Sequence, residues 1–144
     1  MATPVDSANL ILKLYELRRE DTMREARNFM LTFDPKSLED YMASMMGPNS
    51  AHVRMVTSYW EMAASLVVNG AIDAAMFDES NGEHILVFGK FEPFLPQLRA
   101  AMGPSVFQNL EKVCISAPGG IERVRATAER IRGFMAQRAA AAKS

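Results

Sequence analysis

The sequence predicts an all-α protein, a single-domain bundle of about six to seven helices over residues 1–144. The first observation is residues 50–70, whose apolar side chains fill one arc of roughly 200° when placed at about 100° per residue. The second is the near absence of the alternating pattern that is typical of strands. The third is a series of helix-breaking residues that cut the chain into pieces of helical length: Pro35, Gly47-Pro48, Gly70, Gly103-Pro104 and Pro118.

The first helix is expected to begin at Thr3-Pro4 and to continue to about Phe33. Thr3 can cap the helix, proline suits the first helical position, and Asp6 favours the first turn. The middle of this segment, Arg18-Arg19-Glu20-Asp21, is charged. We therefore expect a long helix whose middle is exposed to solvent.

The next two helices are bounded by capping residues. Asp34-Pro35 is predicted to start the second helix, with Asp34 as its cap, and Gly47-Pro48 to end it. Asn49 or Ser50 then opens the third helix, which Gly70 closes. Because the apolar arc of this third helix is wider than the usual one-third face, we expect neighbours on two or three sides and a central position.

The polar arc of the central helix is narrow and carries Glu61, which follows the only tryptophan. A covered and unpaired carboxylate is costly, so Glu61 should have a partner from another helix. The expected partners are the arginines of the first helix: Arg18, Arg19 or Arg24. In the alternative interpretation, Glu61 lines a polar binding pocket with three further candidate residues: Arg54, Asp73 and His52.

Residues 71–91 are expected to form two short elements. A helix is predicted around Asp73–Phe77, followed by a turn at Ser80-Asn81-Gly82. The segment His84–Phe91 is ambiguous, because Ile85-Leu86-Val87-Phe88 after Asn-Gly is also typical of a strand. No matching strand precedes the turn, so we predict a helix here.

The last third of the chain is predicted to hold three helices, through Leu98–Met102, near Val106–Ile115 and after Pro118-Gly119-Gly120. The last helix contains a seven-residue repeat that places five apolar residues on one seam: Ile121, Val124, Ala128, Ile131 and Met135. The seam either docks on the protein's own body, which its short length favours, or joins a second chain. We take four of these residues as candidate interface residues: Ile121, Val124, Ile131 and Met135. The tail, 139–144, is expected to fray.

The charge balance argues against nucleic-acid binding. Sixteen basic residues stand against seventeen acidic ones, and Glu122 and Glu129 are expected to pair with Arg125 and Arg132 on the last helix. No segment reaches the length and apolarity of a membrane span. The single cysteine, Cys114, cannot form an internal disulfide, which suits a reducing compartment. We therefore expect a cytoplasmic protein with neither a nucleic-acid nor a membrane partner.

Signatures of catalysis, metal binding and cofactor binding are weak throughout. His52 and His84 are far apart in sequence, and neither has a carboxylate or cysteine at ligand spacing. Aligning Gly82 with the glycine of a calcium loop puts Phe77 first and Phe88 last, where oxygen donors are required. The sequence therefore predicts no metal, no cofactor and no catalytic residue.

One run of residues, in and after the central helix, resembles a known group of proteins. Tyr59-Trp60-Glu61-Met62-Ala63 continues through Leu66-Val67 to Asn69-Gly70-Ala71-Ile72-Asp73, with Phe77 soon after. This run resembles small helical bacterial proteins of unknown function that carry an aromatic-glutamate helix followed by glycine, isoleucine and aspartate. The resemblance implies a bacterial, all-helical protein and brings no activity and no functional residue with it.

The sequence thus leaves the function unknown and two hypotheses open. The first is a non-enzymatic helical protein that acts through protein–protein contact, as a homodimer, because two apolar faces need cover. The second is a small-molecule-binding protein or an enzyme with a polar pocket around Glu61. A self-complementary apolar patch would favour the first hypothesis, and a concave pocket containing Glu61 would favour the second.

Overall fold

The computed structural model describes residues 2–143, and all regular secondary structure in this part of the chain is helical, without a strand. It forms nine α-helices: α1 (Pro4–Arg18), α2 (Asp21–Thr32), α3 (Leu38–Met45), α4 (Ser50–Val68), α5 (Ala74–Ser80), α6 (Glu83–Phe91), α7 (Leu95–Met102), α8 (Gln108–Ser116) and α9 (Gly120–Ala142). A 3₁₀ helix at Glu92–Phe94 precedes α7. The all-α prediction is confirmed, and the helix count exceeds the predicted six to seven. Across residues 2–143, every helix is too short or too polar to cross a bilayer.

The prediction of a single helix from Thr3 to Phe33 is wrong, because the chain turns between Arg18 and Asp21. The Arg18 side chain points into the core and donates a hydrogen bond to the hydroxyl of Tyr59 at 3.1 Å. The charged stretch therefore marks the ends of two helices, and it is not the exposed middle of one.

Glu20 gives α2 its start. Its carboxylate accepts hydrogen bonds from the backbone amides of Thr22, at 3.1 Å, and Met23, at 3.0 Å. These bonds satisfy amides of the first turn that have no partner inside the helix. They also hold the pKa of the Glu20 carboxyl below its usual value.

Helix α3 begins later than predicted. Ser37 is its cap, and Ser37 Oγ accepts a hydrogen bond from the Asp40 amide at 3.3 Å. The predicted cap, Asp34, instead forms ion pairs with Lys36, at 2.6 Å, and Arg132, at 3.1 Å. Because two cations hold its carboxylate, Asp34 does not start the helix.

Helix α4 occupies the centre of the fold and contacts α2, α3, α5 and α8. Its buried side chains are Val53, Val56, Tyr59, Trp60, Ala63 and Ala64. The wide apolar arc and the central position of the helix are therefore confirmed. Met62 is an exception within the arc, because it is 42% exposed. Gly70 follows the helix with φ +82°, in the left-handed region that favours glycine.

Helix α6 is enclosed on all sides. Every residue from His84 to Phe91 is buried, which confirms the helix prediction for this segment. A helix without a solvent-exposed face has no need of an amphipathic period. This is why its sequence is also compatible with a strand.

Helix α9 docks on α6 at close range. A Cβ atom on Gly89 would lie 3.1 Å from Ala128 Cβ and 3.3 Å from the carbonyl oxygen of Val124. Glycine therefore permits this approach, and α9 buries Val124 and Ala128. The seam docks on the protein's own body, which is the alternative that its length favoured. Helix α9 continues to Ala142. Fraying of residues 139–144 remains a prediction, and Ser144 lies outside the described residues.

The arginines of α9 do not pair with Glu122 and Glu129 as predicted, because carboxylates of other helices and loops lie closer. The ion pairs are Arg123–Asp78 at 2.8 Å, Arg125–Glu92 at 2.9 Å and Arg132–Asp34 at 3.1 Å. These pairs tie α9 to three other parts of the chain.

Candidate functional site

Glu61 binds the start of α8. Its Oε2 accepts hydrogen bonds from the Asn109 backbone amide at 3.2 Å and from Asn109 Nδ2 at 2.8 Å. Its Oε1 accepts one from the Leu110 amide at 2.9 Å. The first amides of a helix lack internal partners and carry partial positive charge, so a carboxylate from α4 is well placed there. Glu61 therefore acts as a cap that joins two helices.

The expectation that Glu61 has a partner from another helix is confirmed. The prediction that this partner is an arginine of the first helix is wrong. Arg18 lies over Trp60 and bonds Tyr59, and the partners of Glu61 come from α8. Three of the carboxylate's hydrogen-bonding positions are occupied by the protein itself. Little of the group is left for a substrate.

The other candidate binding residues lie apart from Glu61. Arg54 donates to Ser50 Oγ at 3.3 Å near the start of α4. The carboxylate of Asp73 accepts from the Met76 amide at 2.9 Å and so caps α5. His52 lies beside Phe29, with 5.8 Å between ring centroids. Arg54 and Asp73 have local hydrogen-bond partners, whereas the buried Nδ1 of His52 has none in the described part of the chain, and the four candidate residues do not form a common pocket.

Replacing Glu61 with alanine is expected to lower the free energy of unfolding by about 1–3 kcal/mol, because three hydrogen bonds and a helix cap are lost. Denaturant unfolding at neutral pH measures the change. Glu61→Gln keeps one acceptor oxygen and should lose less. A loss within about 0.5 kcal/mol of zero for Glu61→Ala, as for an ordinary surface substitution, would contradict the capping role.

Trp60 lies at the centre of a partly buried polar network. Its Nε1 donates to Glu83 Oε1 at 3.2 Å, and Glu83 also pairs with Arg27 at 2.9 Å. The Arg18 guanidinium lies over the indole ring, 5.1 Å from the ring centroid. This network joins α1, α2, α4 and α6. Its groups bind one another, which indicates a structural role.

His84 is fully buried next to this network. Its ring packs against Phe77, at 4.8 Å between centroids, and Trp60, at 5.6 Å. Neither ring nitrogen has a hydrogen-bond partner within the described part of the chain. Burial lowers the pKa of His84 to about 4, so the ring is neutral near pH 7.

A groove of about 650 Å³ lies between α4, α5 and α8. We call it the α5 groove. Its walls are mainly apolar: Val67, Val68, Ala74, Ala75, Val113, Ala117 and Pro118. Three charged residues lie on its rim: Asp78, Glu79 and Lys112. Asp78 is paired with Arg123, whereas Glu79 and Lys112 have no ion pair with any residue between 2 and 143.

Helix α1 has an apolar face that is largely exposed, although the guanidinium groups of Arg18 and Arg19 lie over the ring of its Tyr15. Val5, Leu12 and Tyr15 are 68%, 64% and 53% exposed. Together with Ala8 they follow the alternating spacing of three and four residues that packs one helix against another. We call these four residues the α1 stripe. An adjoining face of α1, formed by Ser7, Ile11, Leu14 and Arg18, is buried in the core.

The α1 stripe and the α5 groove are neighbours. Helix α1 contacts α5, and the Asp73 amide, just before α5, donates to Ser7 Oγ at 2.9 Å. Helix α5 in turn provides one wall of the groove through Ala74 and Ala75. The helix that carries the stripe therefore packs against the helix that forms one wall of the groove.

The candidate interface residues of α9 lie in two environments. Val124 is buried beneath α6, and Ile121 packs against the core. Ile131 and Met135 line a smaller cavity of about 250 Å³ between α2, α6 and α9. The α1 stripe and the groove were not recognised from the sequence. The spacing of the stripe is visible there, but the groove joins three helices that are distant along the chain.

Comparisons with known proteins give one match. The family described as "Domain of unknown function (DUF4760)" matches residues 4–116, which run from the first residue of α1 to the last residue of α8. No curated protein and no solved structure matches the chain.

Proposed function

The chain belongs to the DUF4760 family, whose function is unknown, and from its geometry we propose a non-enzymatic protein that acts through protein–protein contact. In this proposal the protein is a homodimer, and the α1 stripe of each copy occupies the α5 groove of the other. The observation that carries it is an exposed apolar stripe beside an apolar groove. Large exposed apolar surfaces commonly mark interaction sites.

The sizes of the two features support the match. One water molecule's share of the liquid is about 30 Å³, so a groove of about 650 Å³ holds roughly 20 non-hydrogen atoms. The side chains of valine, alanine, leucine and tyrosine contribute about 16 such atoms beyond Cα. The stripe and the groove are therefore of similar size.

The charges beside the stripe and the groove, and the symmetry of a dimer, support the proposed interface as well. Exposed Glu16 and Arg19 flank the stripe, and the groove rim offers Lys112 and Glu79 as opposite charges. Because both features flank α5, one twofold axis can bring each stripe to the other copy's groove. Such a closed interface, in which the same patch serves both copies, is the commonest arrangement of homo-oligomers.

The alternative, a small-molecule pocket around Glu61, has less support. The Glu61 carboxylate is held by Asn109 and Leu110, and the other three candidate residues lie elsewhere. A single folded domain, a cytoplasmic location and a bacterial origin remain predictions that accompany the proposal.

The dimer is tested by sedimentation equilibrium at micromolar concentration. The wild-type protein should show twice the mass of one chain, and Leu12→Arg in the stripe should give a monomer because it buries an unpaired charge. Ala75→Glu in the groove should do the same. Both variants should keep their helical circular dichroism, since both positions are exposed.

A matched control uses an exposed residue outside both surfaces. Met46, at the end of α3, is 88% exposed, and Met46→Arg should remain dimeric. A wild-type protein that is monomeric at these concentrations would contradict the proposal. So would a Leu12→Arg variant that remains a dimer.

A further inference from the structure

The cavity between α2, α6 and α9 contains a buried lysine. Lys90 lies on α6, is 5% exposed and lines this cavity of about 250 Å³. Its Nζ donates one hydrogen bond, to the Phe33 carbonyl oxygen at 2.7 Å. An ammonium group has three N–H donors, so two of them remain without a partner in the described chain.

The nearest carboxylate does not neutralise this lysine. Asp34 also lines the cavity, but it is held by Arg132 at 3.1 Å and by Lys36 at 2.6 Å. Lys90 forms no ion pair with any residue from 2 to 143. The charges that line the cavity are thus two cations, Lys90 and Arg132, and one anion, Asp34, which leaves one positive charge.

Apart from Thr32, the rest of the cavity lining is apolar. Leu31, Leu86, Ile131 and Met135 form most of the remaining wall. A buried cation in an apolar cavity is costly unless an anion meets it, and one negative charge would balance the lining. An apolar tail would meanwhile remove the aliphatic wall from water. A ligand with both parts fits this arrangement.

We propose that this cavity binds a small aliphatic monocarboxylate, whose carboxylate pairs with Lys90 and Arg132 and whose tail contacts Leu86 and Ile131. At about 30 Å³ per atom, 250 Å³ holds roughly eight non-hydrogen atoms, which is the size of hexanoate. This site is separate from the α1 stripe and the α5 groove, and it does not depend on dimer formation.

Isothermal titration calorimetry of the full chain with hexanoate tests the proposal. Hexanoate should bind, and the neutral alcohol of the same chain length, hexan-1-ol, should bind at least about tenfold more weakly because it lacks the charge that Lys90 requires. Across a series from acetate to dodecanoate, affinity should rise up to about six carbons and gain little beyond, since the cavity is open on one side and longer tails extend past its apolar wall. The series uses the wild-type protein only, so it does not depend on the folding of a variant.

Two lysine variants complete the test. Lys90→Met keeps much of the side chain's volume without its charge and should weaken hexanoate binding by about tenfold or more. Lys112→Met removes an exposed lysine on the α5 groove and should leave binding unchanged. Equal affinity for hexanoate and hexan-1-ol, equal loss in both variants, or no binding up to about 10 mM hexanoate would overturn the proposal.

Discussion

Replacing Trp60 with alanine is expected to lower the free energy of unfolding by about 3–5 kcal/mol, the range for truncating a large core aromatic residue. Trp60 is fully buried, and its ring packs edge-to-face against Tyr59 at a centroid distance of 4.9 Å. The substitution leaves a cavity and also removes the N–H that donates to Glu83 and the ring that lies beneath Arg18. Denaturant unfolding at neutral pH measures the loss.

Two further variants separate packing from hydrogen bonding. Trp60→Phe keeps an aromatic ring but removes the N–H, so its loss should be smaller than that of Trp60→Ala. Met62→Ala changes an exposed residue of the same helix and should shift stability by no more than about 0.5 kcal/mol. A Trp60→Ala variant as stable as Met62→Ala would disprove the central position of Trp60 in the core.

The stability of the protein is expected to fall by about 3 kcal/mol between pH 6.5 and pH 4 because of His84 alone. Its pKa is lowered from 6.5 to about 4 in the folded state, chiefly by burial. Above pH 6.5 the ring is neutral in both the folded and the unfolded state, and His84 does not lower the free energy of unfolding. Below pH 6.5 the unfolded chain takes up the proton first, so each further pH unit costs about 1.4 kcal/mol until the folded state is also protonated.

The variant His84→Leu isolates this contribution. It removes the titrating ring and two buried nitrogens without partners, so its stability should depend less on pH in this window. The charged groups that act on His84 are Asp78, Arg123 and Arg18, and all remain in the variant. Carboxyls with lowered pKa, such as Asp34, lose their contribution in both proteins, which cancels in the difference. Parallel stability profiles from pH 7 to pH 4.5 would contradict the prediction.

Local signals in the sequence predicted those parts of the fold that local chemistry determines. Thr3 Oγ1 accepts a hydrogen bond from the Asp6 amide three residues away, as its predicted capping role requires, and Gly70 ends α4 through its own backbone conformation. The same reasoning failed where distant partners decide the outcome. The first helix ends at Arg18, whose side chain bonds Tyr59, forty-one residues along the chain.

The candidate site was less predictable for related reasons. Glu61 was recognised as a carboxylate in need of a partner, but its partners include backbone amides, which every residue has and no sequence pattern reveals. Lys90 did leave a signal, because it is a lysine in the apolar run His84–Phe91. That signal has meaning only once the run is known to be a helix buried on all sides.

Disulfide trapping between two different variants tests the proposed dimer most directly. One protein carries Leu12→Cys in the α1 stripe, and the other carries Ala75→Cys in the α5 groove and an isotopic label. The native Cys114 does not interfere, because it is buried and burial raises the pKa of its thiol to about 12. Mass spectrometry after mild oxidation of the mixture identifies which chains are joined.

The proposal predicts a disulfide-linked dimer that contains one labelled and one unlabelled chain. This mixed dimer should form faster than a linked dimer of two Leu12→Cys chains or of two Ala75→Cys chains. Trapping only between two Leu12→Cys chains would mean that α1 packs against α1 and would contradict the stripe-in-groove dimer. The absence of any linked dimer at concentrations where the wild-type protein is dimeric would contradict it equally.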